Sequence, residues 1–297
     1  MQTSVANSLE RDMAAGLHAI PWMALPAVPP GTKLSATRAH VAARRVRLAP
    51  RTEVLAPANG AGPWALYFAF APDGRALGQH RFTMTRLREQ GFRILLVVAC
   101  NGLPDANFMS ADAVIRKELN GFDFSGYAIG LDHLADTVGR TDVLVLNDSV
   151  FGPFADMRTF FARTPFRMTG FTASYAVEPH LQSYAFLIRD FDRAYMEGLR
   201  PVMWRRFACS HHGGVAFLQE TRLGRIAARM GSVGSVWTPS DPIYDLTMSD
   251  PLGLLAAGYP FLKRSVIGKF SDGFDSDAMI AALTARDHPI ERTSYAA

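Results

Sequence analysis

Nine residues, Phe92 to Cys100 (Phe-Arg-Ile-Leu-Leu-Val-Val-Ala-Cys), carry one charge near their start and are otherwise apolar. A run this short, with no polar alternation, predicts a strand buried on both faces. Such strands belong to parallel sheets covered by helices. Upstream, Ala65 to Phe70 is a second apolar run, rich in aromatics and ended by Pro72-Asp73-Gly74. Between the two, Gln79 to Gln90 spaces Phe82, Met84 and Leu87 as the stripe of a helix, and Gly91 stops it. Strand, helix and strand in this order predict a βαβ unit.

The pattern repeats downstream. Ala113 to Arg116 reads as a brief strand, and Phe124 to Val138 as a helix in spite of Gly126 and Gly130. Asp142 to Leu146 is another apolar strand, and it runs straight into Asn147-Asp148-Ser149. A helix over Met157 to Arg163, a strand over Tyr184 to Arg189 and a helix over Leu218 to Met230 follow. The expected fold class is α/β, a Rossmann-type, mostly parallel sheet flanked by helices, with residues 61–270 as one domain. Residues 1–60 read as an irregular N-terminal arm, broken by Pro21, Pro26, Pro29, Pro30, Pro50 and Pro57. Residues 271–297 read as a C-terminal extension.

At 297 residues, 48% hydrophobic and 20% charged, the chain has the composition of a globular enzyme. A net charge of +4 suits anionic small molecules or an acidic membrane face and is too mild to imply nucleic acid. Cys100 and Cys209 form no disulfide framework, which points to a reducing cytoplasm. Charges at Glu10, Arg11 and Asp12 interrupt any apolar leader. No uninterrupted apolar stretch reaches the roughly 18 residues of a span. The expected location is cytoplasmic, peripheral at the inner membrane. In the arm, Arg38-Ala-His-Val-Ala-Ala-Arg44-Arg45-Val-Arg47 is either a solvated basic face or a contact for anionic lipid head groups.

Two segments concentrate chemistry. Asn147, Asp148 and Ser149 stand at the carboxyl end of an apolar strand, where ligands of open α/β sheets bind. There Asp148 either holds Mg²⁺ or Mn²⁺ against a diphosphate, or caps the next turn while Asn147 bonds backbone. In Asn120-Gly121-Phe122-Asp123-Phe124, Gly121 permits an unusual backbone angle or a close ligand approach. Asp123 either accepts hydrogen bonds from a ribose or sugar hydroxyl, or caps the helix that follows. Cys209-Ser210-His211-His212 lacks a second ligand pair and reads as a loop.

Together these segments resemble the rhamnan synthesis F family of bacterial polysaccharide-synthesis proteins, whose domain is similar to GT-A glycosyltransferases. The family motif Asn-x-Gly-Phe-Asp-Phe-Gly is matched by Leu119 to Ser125, with Leu119 and Ser125 as departures. Its Asn-Asp-Ser-Val-Phe-Gly-Pro is matched by Asn147 to Pro153, and its His-Leu-Gln-Ser-Tyr by His180 to Tyr184. A Glu in a helix ending in Gly is matched by Glu220 and Gly231, and a closing Gly-Phe-Pro-Phe-Leu-Lys by Gly258 to Lys263. The resemblance covers residues 64–265. It implies transfer of a sugar, rhamnose or another, from a nucleotide-diphosphate donor to a glycan acceptor of the cell surface. It further implies catalytic roles for Asp148 and His180 and donor contacts from Gly121, Asp123, Asn147 and Ser149, while Glu220 is either the general base of the transfer or a solvent-facing helix residue. In the polar passage after Pro179, Gln182 and Tyr184 either contact the acceptor or make ordinary hydrogen bonds at a strand entrance. Asp148 would take the place of the metal-binding Asp-x-Asp, whose second carboxylate is absent here, with Ser149 following instead.

Overall fold

The computed structural model describes residues 18–19, 45–175, 178–239 and 245–290. The Arg38 to Arg44 part of the basic stretch lies outside them. In chain order the elements are β1 (His18–Ala19), β2 (Val46–Leu48), β3 (Thr52–Ala56), β4 (Trp64–Phe70), α1 (Gly78–Glu89), β5 (Arg93–Ala99), β6 (Ala113–Lys117), α2 (Asp123–Thr137) and β7 (Thr141–Asn147). Then come β8 (Val150–Phe151), α3 (Met157–Arg163), β9 (Met168–Ser174), β10 (His180–Leu181), β11 (Ala185–Phe191), α4 (Arg193–Leu199) and β12 (Phe207–Cys209). The last group is α5 (His212–Val215), a π-helical turn (Ala216–Glu220), α6 (Thr221–Ala227), β13 (Val233–Trp237), α7 (Leu246–Ser249), α8 (Pro251–Ala256), β14 (Leu262–Lys263) and α9 (Ser276–Thr284).

One mixed sheet organises these elements, in the order β1-β13-β9-β11-β7-β4-β5-β6-β3, with β10 beside β9. Strands β7, β4, β5 and β6 pair in parallel, as do β13 and β9. Strands β11, β3 and β1 run against their neighbours. The centre is therefore a parallel, helix-flanked sheet compatible with a Rossmann-like fold.

Alternation along the apolar runs explains the two layers. Leu66, Phe68, Leu95, Val97, Val143 and Val145 face one core, together with Phe124, Leu131 and Leu134 of α2. Tyr67, Leu96, Val98, Leu144 and Leu146 face the other, with Met84 and Leu87 of α1 and Phe160 of α3. Each central strand feeds both cores, so no residue in its middle is free to be polar.

The two glycines of α2 pack the helix against the sheet. A Cβ at Gly126 would overlap the Phe68 ring, and one at Gly130 would overlap Leu66. This close approach outweighs the poor helix propensity of glycine.

Three expectations are corrected. The arm expected over residues 1–60 is strand where it is described beyond residue 45. Strand β3 closes the sheet edge by pairing with β6, and β2 pairs with β12. Both are short and largely exposed, so no apolar period announced them; the backbone partners of β6 and β12 fix them instead. The single helix expected over Leu218 to Met230 is a π-helical turn followed by α6, which ends at Ala227. The C-terminal extension is part of the body up to residue 290. Its α9 buries Met279 and Leu283 against Phe151, Leu262 and Val266.

Gly126→Ala tests the helix contact. Propensity alone would stabilise the protein by about 1 kcal/mol. Overpacking against the buried Phe68 ring should instead destabilise it by about 1–3 kcal/mol. Urea denaturation reads the sign directly.

Candidate functional site

The parallel pairing of β4 with β7 puts Phe68 beside Asn147. The chain leaves the sheet there, and the Asp148 amide donates to the Phe68 carbonyl (3.0 Å). Because side chains alternate, Asn147 and Asp148 serve opposite faces of the sheet. Asn147 turns to the α2 side, where its Nδ2 donates to Asp123 Oδ2 (2.9 Å). Its Oδ1 accepts from the Ser149 amide (3.0 Å) and from the Ser149 hydroxyl. Asp148 turns to the α1 side, where its Oδ2 accepts from the Phe70 amide (2.9 Å). The same oxygen lies 3.6 Å from His80 Nε2 and 3.7 Å from the Arg264 guanidinium. The Leu77 amide donates to His80 Nδ1 (3.1 Å), so the proton of the neutral ring sits on Nε2, toward Asp148.

Asp123 opens α2 as its first residue, and its own Oδ1 accepts from the Phe124 amide (2.9 Å). Burial of the carboxyl, reinforced by the nearby Glu220 charge, raises its pKa to about 7. Lys117, buried at the end of β6, donates to the Asn120 carbonyl (3.1 Å). Burial lowers the pKa of its ammonium to about 8 against the opposing pull of Asp123. Gly121 lies between them at φ +76°, and a Cβ there would come within 2.7 Å of Ser125 Oγ and 2.8 Å of Ala208 Cβ. Its amide donates to Ser210 Oγ (3.0 Å), so Gly121 makes a tight turn against β12 and keeps no amide for a donor.

Glu220 ends the π-helical turn, an irregularity that concentrates at functional positions. Its Oε1 accepts from both the amide and the hydroxyl of Ser183 (2.8 Å each). The Ser183 carbonyl accepts from Tyr127 of α2 (2.9 Å), which ties Glu220 back to the Asp123 helix. Gln182 is buried. Its Oε1 accepts from Thr172 (2.6 Å), and its Nε2 donates to Asp245 (2.9 Å), which also pairs with Lys263 (3.2 Å). The Tyr184 phenol is fixed between Thr172 and Tyr259, and burial pushes its pKa far up. It belongs to the core beneath the site and offers no hydroxyl to an acceptor. His180 is buried in β10, with Nδ1 on the Glu178 carbonyl (2.7 Å), and makes no contact with Asp123, Asp148 or Glu220.

The structure thus brings Asp123, Asn147, Ser149 and Glu220 together on the α2 side of the strand ends, with Asp148 on the α1 side. It adds His80, Lys117, Asp245, Lys263 and Arg264, to which the sequence assigned no site role. Lys117 carried a signal, a basic residue ending an apolar strand. Arg264 carried none, because its partner Asp148 stands 116 residues away.

A divalent ion finds little to hold it. Among the described residues no group of three or more His, Cys, Asp or Glu side chains converges on one point. Asp148 Oδ2 already faces an amide, a histidine and a guanidinium. Hard cations take six or more oxygen ligands, and the protein offers one carboxylate. The residues present do not build a Mg²⁺ or Mn²⁺ site by themselves.

No helix among the described residues is long and apolar enough to cross a membrane. No family model matches the chain. Two curated sequences from Vibrio anguillarum, each described as virulence protein VirA, are 32% identical to it over 127 residues. The match spans 41% of this chain and 41% of those proteins, so the likeness covers well under half of either.

Proposed function

We propose that the chain is a glycosyltransferase of the rhamnan synthesis F type, with a GT-A-like domain. It transfers a sugar from a nucleotide-diphosphate donor to a cell-surface polysaccharide at the cytoplasmic side of the inner membrane. One observation carries the reading. The five sequence segments that resemble the family interlock at one end of the sheet. Asp123 of the first bonds Asn147 of the second. Ser183 of the third holds Glu220, the fourth. The fifth pairs β14 with β8 directly after Ser149, and its Tyr259 reaches Tyr184. The direction of the parallel strands favours a nucleotide at these strand ends, because ligands of open α/β sheets bind outside the carboxyl ends of the strands.

In this reading Glu220 removes the proton from the acceptor hydroxyl, with Ser183 fixing one carboxylate oxygen and so aiming the other. Asp123 and Asn147 contact the donor. A bare carboxylate would repel a diphosphate, so Asp148 acts through its neighbours. It holds Arg264, whose guanidinium meets the charge that develops on the leaving group, and His80 lies on the same carboxylate oxygen.

A non-catalytic reading has one observation in its favour. Both hydrogen bonds from Ser183 would serve equally well to anchor a helix. Glu220→Gln decides, since the amide oxygen keeps both bonds and only the base is lost. Sugar transfer should fall about 10²- to 10⁴-fold while nucleotide affinity stays within about twofold. Transfer at the wild-type rate makes Glu220 a structural residue.

Burial, and after it the charge of Glu220, opposes ionisation of Asp123. The raised pKa of Asp123 means that the folded state holds its proton more tightly than the unfolded chain. Its contribution to stability is therefore complete below the ordinary carboxylate pKa of about 4 and is lost as pH rises through about 7. Asp123→Asn should flatten the fall in unfolding free energy between pH 5 and pH 8, measured by urea titration at each pH. An equally steep fall in the variant would remove Asp123 as its source.

A further inference from the structure

A cavity lies at the other end of the sheet. Its volume is about 180 Å³, and Pro63, Asp142, Arg158, Phe161, Ala162 and Arg189 line it. Pro63 precedes β4 and Asp142 is the second residue of β7, so the cavity sits at the amino ends of these parallel strands. Five residues of strand, about 17 Å, separate Asp142 from Asn147. The cavity is therefore separate from the site at the strand carboxyl ends.

Three polar side chains in it are held in place and still have bonding capacity. Asp142 shares a sheet face with Leu144 and Leu146, the face that α3 covers. Its Oδ1 accepts from the Asp190 amide (3.0 Å), and its Oδ2 has no partner among the described residues. Arg189 follows Ile188, the partner of Val143, and so stands across from Asp142. Its Nε donates to the Thr164 carbonyl (2.8 Å), which fixes the guanidinium and leaves both terminal nitrogens open. Arg158 lies over the Phe92 ring (5.7 Å). Among the described residues neither guanidinium has an acidic partner within 4.0 Å. Pro63, Phe161 and Ala162 complete the lining with apolar surface.

This mixture narrows the ligand. Two guanidiniums favour an oxyanion, which they can grip by charge-assisted hydrogen bonds. The open carboxylate oxygen of Asp142 repels a bare anion and calls for a hydroxyl donor on the same molecule. The volume is below the roughly 300–1,000 Å³ of sites for drug-sized ligands, which suits a monosaccharide better than a nucleotide. We infer that the cavity binds a phosphorylated monosaccharide. Arg158 and Arg189 hold the phosphate, Asp142 accepts from a ring hydroxyl, and Pro63 and Phe161 face the apolar flank of the sugar. No group of the proposed transfer site is used, so the binding stands or falls apart from that reading.

Calorimetric titration of the full chain with glucose 1-phosphate, glucose and inorganic phosphate tests it. The sugar phosphate should bind about tenfold or more tightly than either fragment, because each fragment lacks one set of charged hydrogen bonds. Arg158→Gln and Arg189→Gln should each weaken it about tenfold or more. Arg158 touches only a ring face, so its variant keeps the fold, and thermal melting checks Arg189→Gln. Asp142→Asn keeps an oxygen for the Asp190 amide; it should weaken glucose 1-phosphate and strengthen inorganic phosphate. Equal affinity for sugar phosphate and phosphate, no binding of the sugar phosphate, or wild-type affinity in Arg158→Gln would overturn the inference. Asp148→Asn should bind glucose 1-phosphate as the wild type does. Loss of binding there would place the ligand at the strand carboxyl ends and overturn the inference as well.

Discussion

The pairing of β4 with β7 sets everything else in place. Both strands are buried on both faces, so their middles admit only apolar residues and polar ones are confined to their ends. Phe68 beside Asn147 fixes where β7 stops. From that point alternate residues point to opposite layers, and the backbone itself separates Asn147 from Asp148. One side chain is delivered to the mouth of α2 and the other to the mouth of α1. A slip of one residue in this register would exchange the two and bury the wrong group in each layer.

Around that pivot the site balances charge locally. Asp148 is met by Arg264 and His80, while Asp123 and Glu220 oppose one another with Lys117 at the end of the neighbouring strand. Burial makes each uncompensated group costly, so such groups are kept near partners or shifted toward their neutral forms. Protonation of Asp123 near neutrality follows from this crowding. The π-helical turn contributes by setting Glu220 onto Ser183 rather than out into solvent.

Much of this was legible in the sequence. Strands β4, β5 and β7 are unmistakable because double-sided burial removes every polar residue from their middles. Helix α3 was placed at its observed bounds, Met157 to Arg163. Asp123 and Asn147 were singled out separately and prove to be bonded to each other. The short ribbons β2–β12 and β8–β14 were missed, since strands of two or three residues are too short to show a period. The π-helical turn was missed because no composition encodes it. Tyr184 was read as an acceptor contact because its neighbours are polar; its hydroxyl is in fact satisfied within the core by Thr172 and Tyr259, which lie far from it in sequence. Arg264 shows the general reason: long-range ion pairs follow from the fold and leave no local trace.

The proposed function requires a nucleoside diphosphate to bind at the strand ends beside Asn147 and Asp148. The most direct measurement is a thermal-shift titration of wild-type protein and Asp148→Asn against UDP, dTDP and GDP. The substitution keeps an oxygen for the Phe70 amide, so the fold should survive. At a concentration 100 times its dissociation constant, a true ligand adds about 2.7 kcal/mol to stability. The account predicts that one of the three stabilises the wild type by about this amount and the variant by far less. Stabilisation of neither protein, or of both equally, would contradict it.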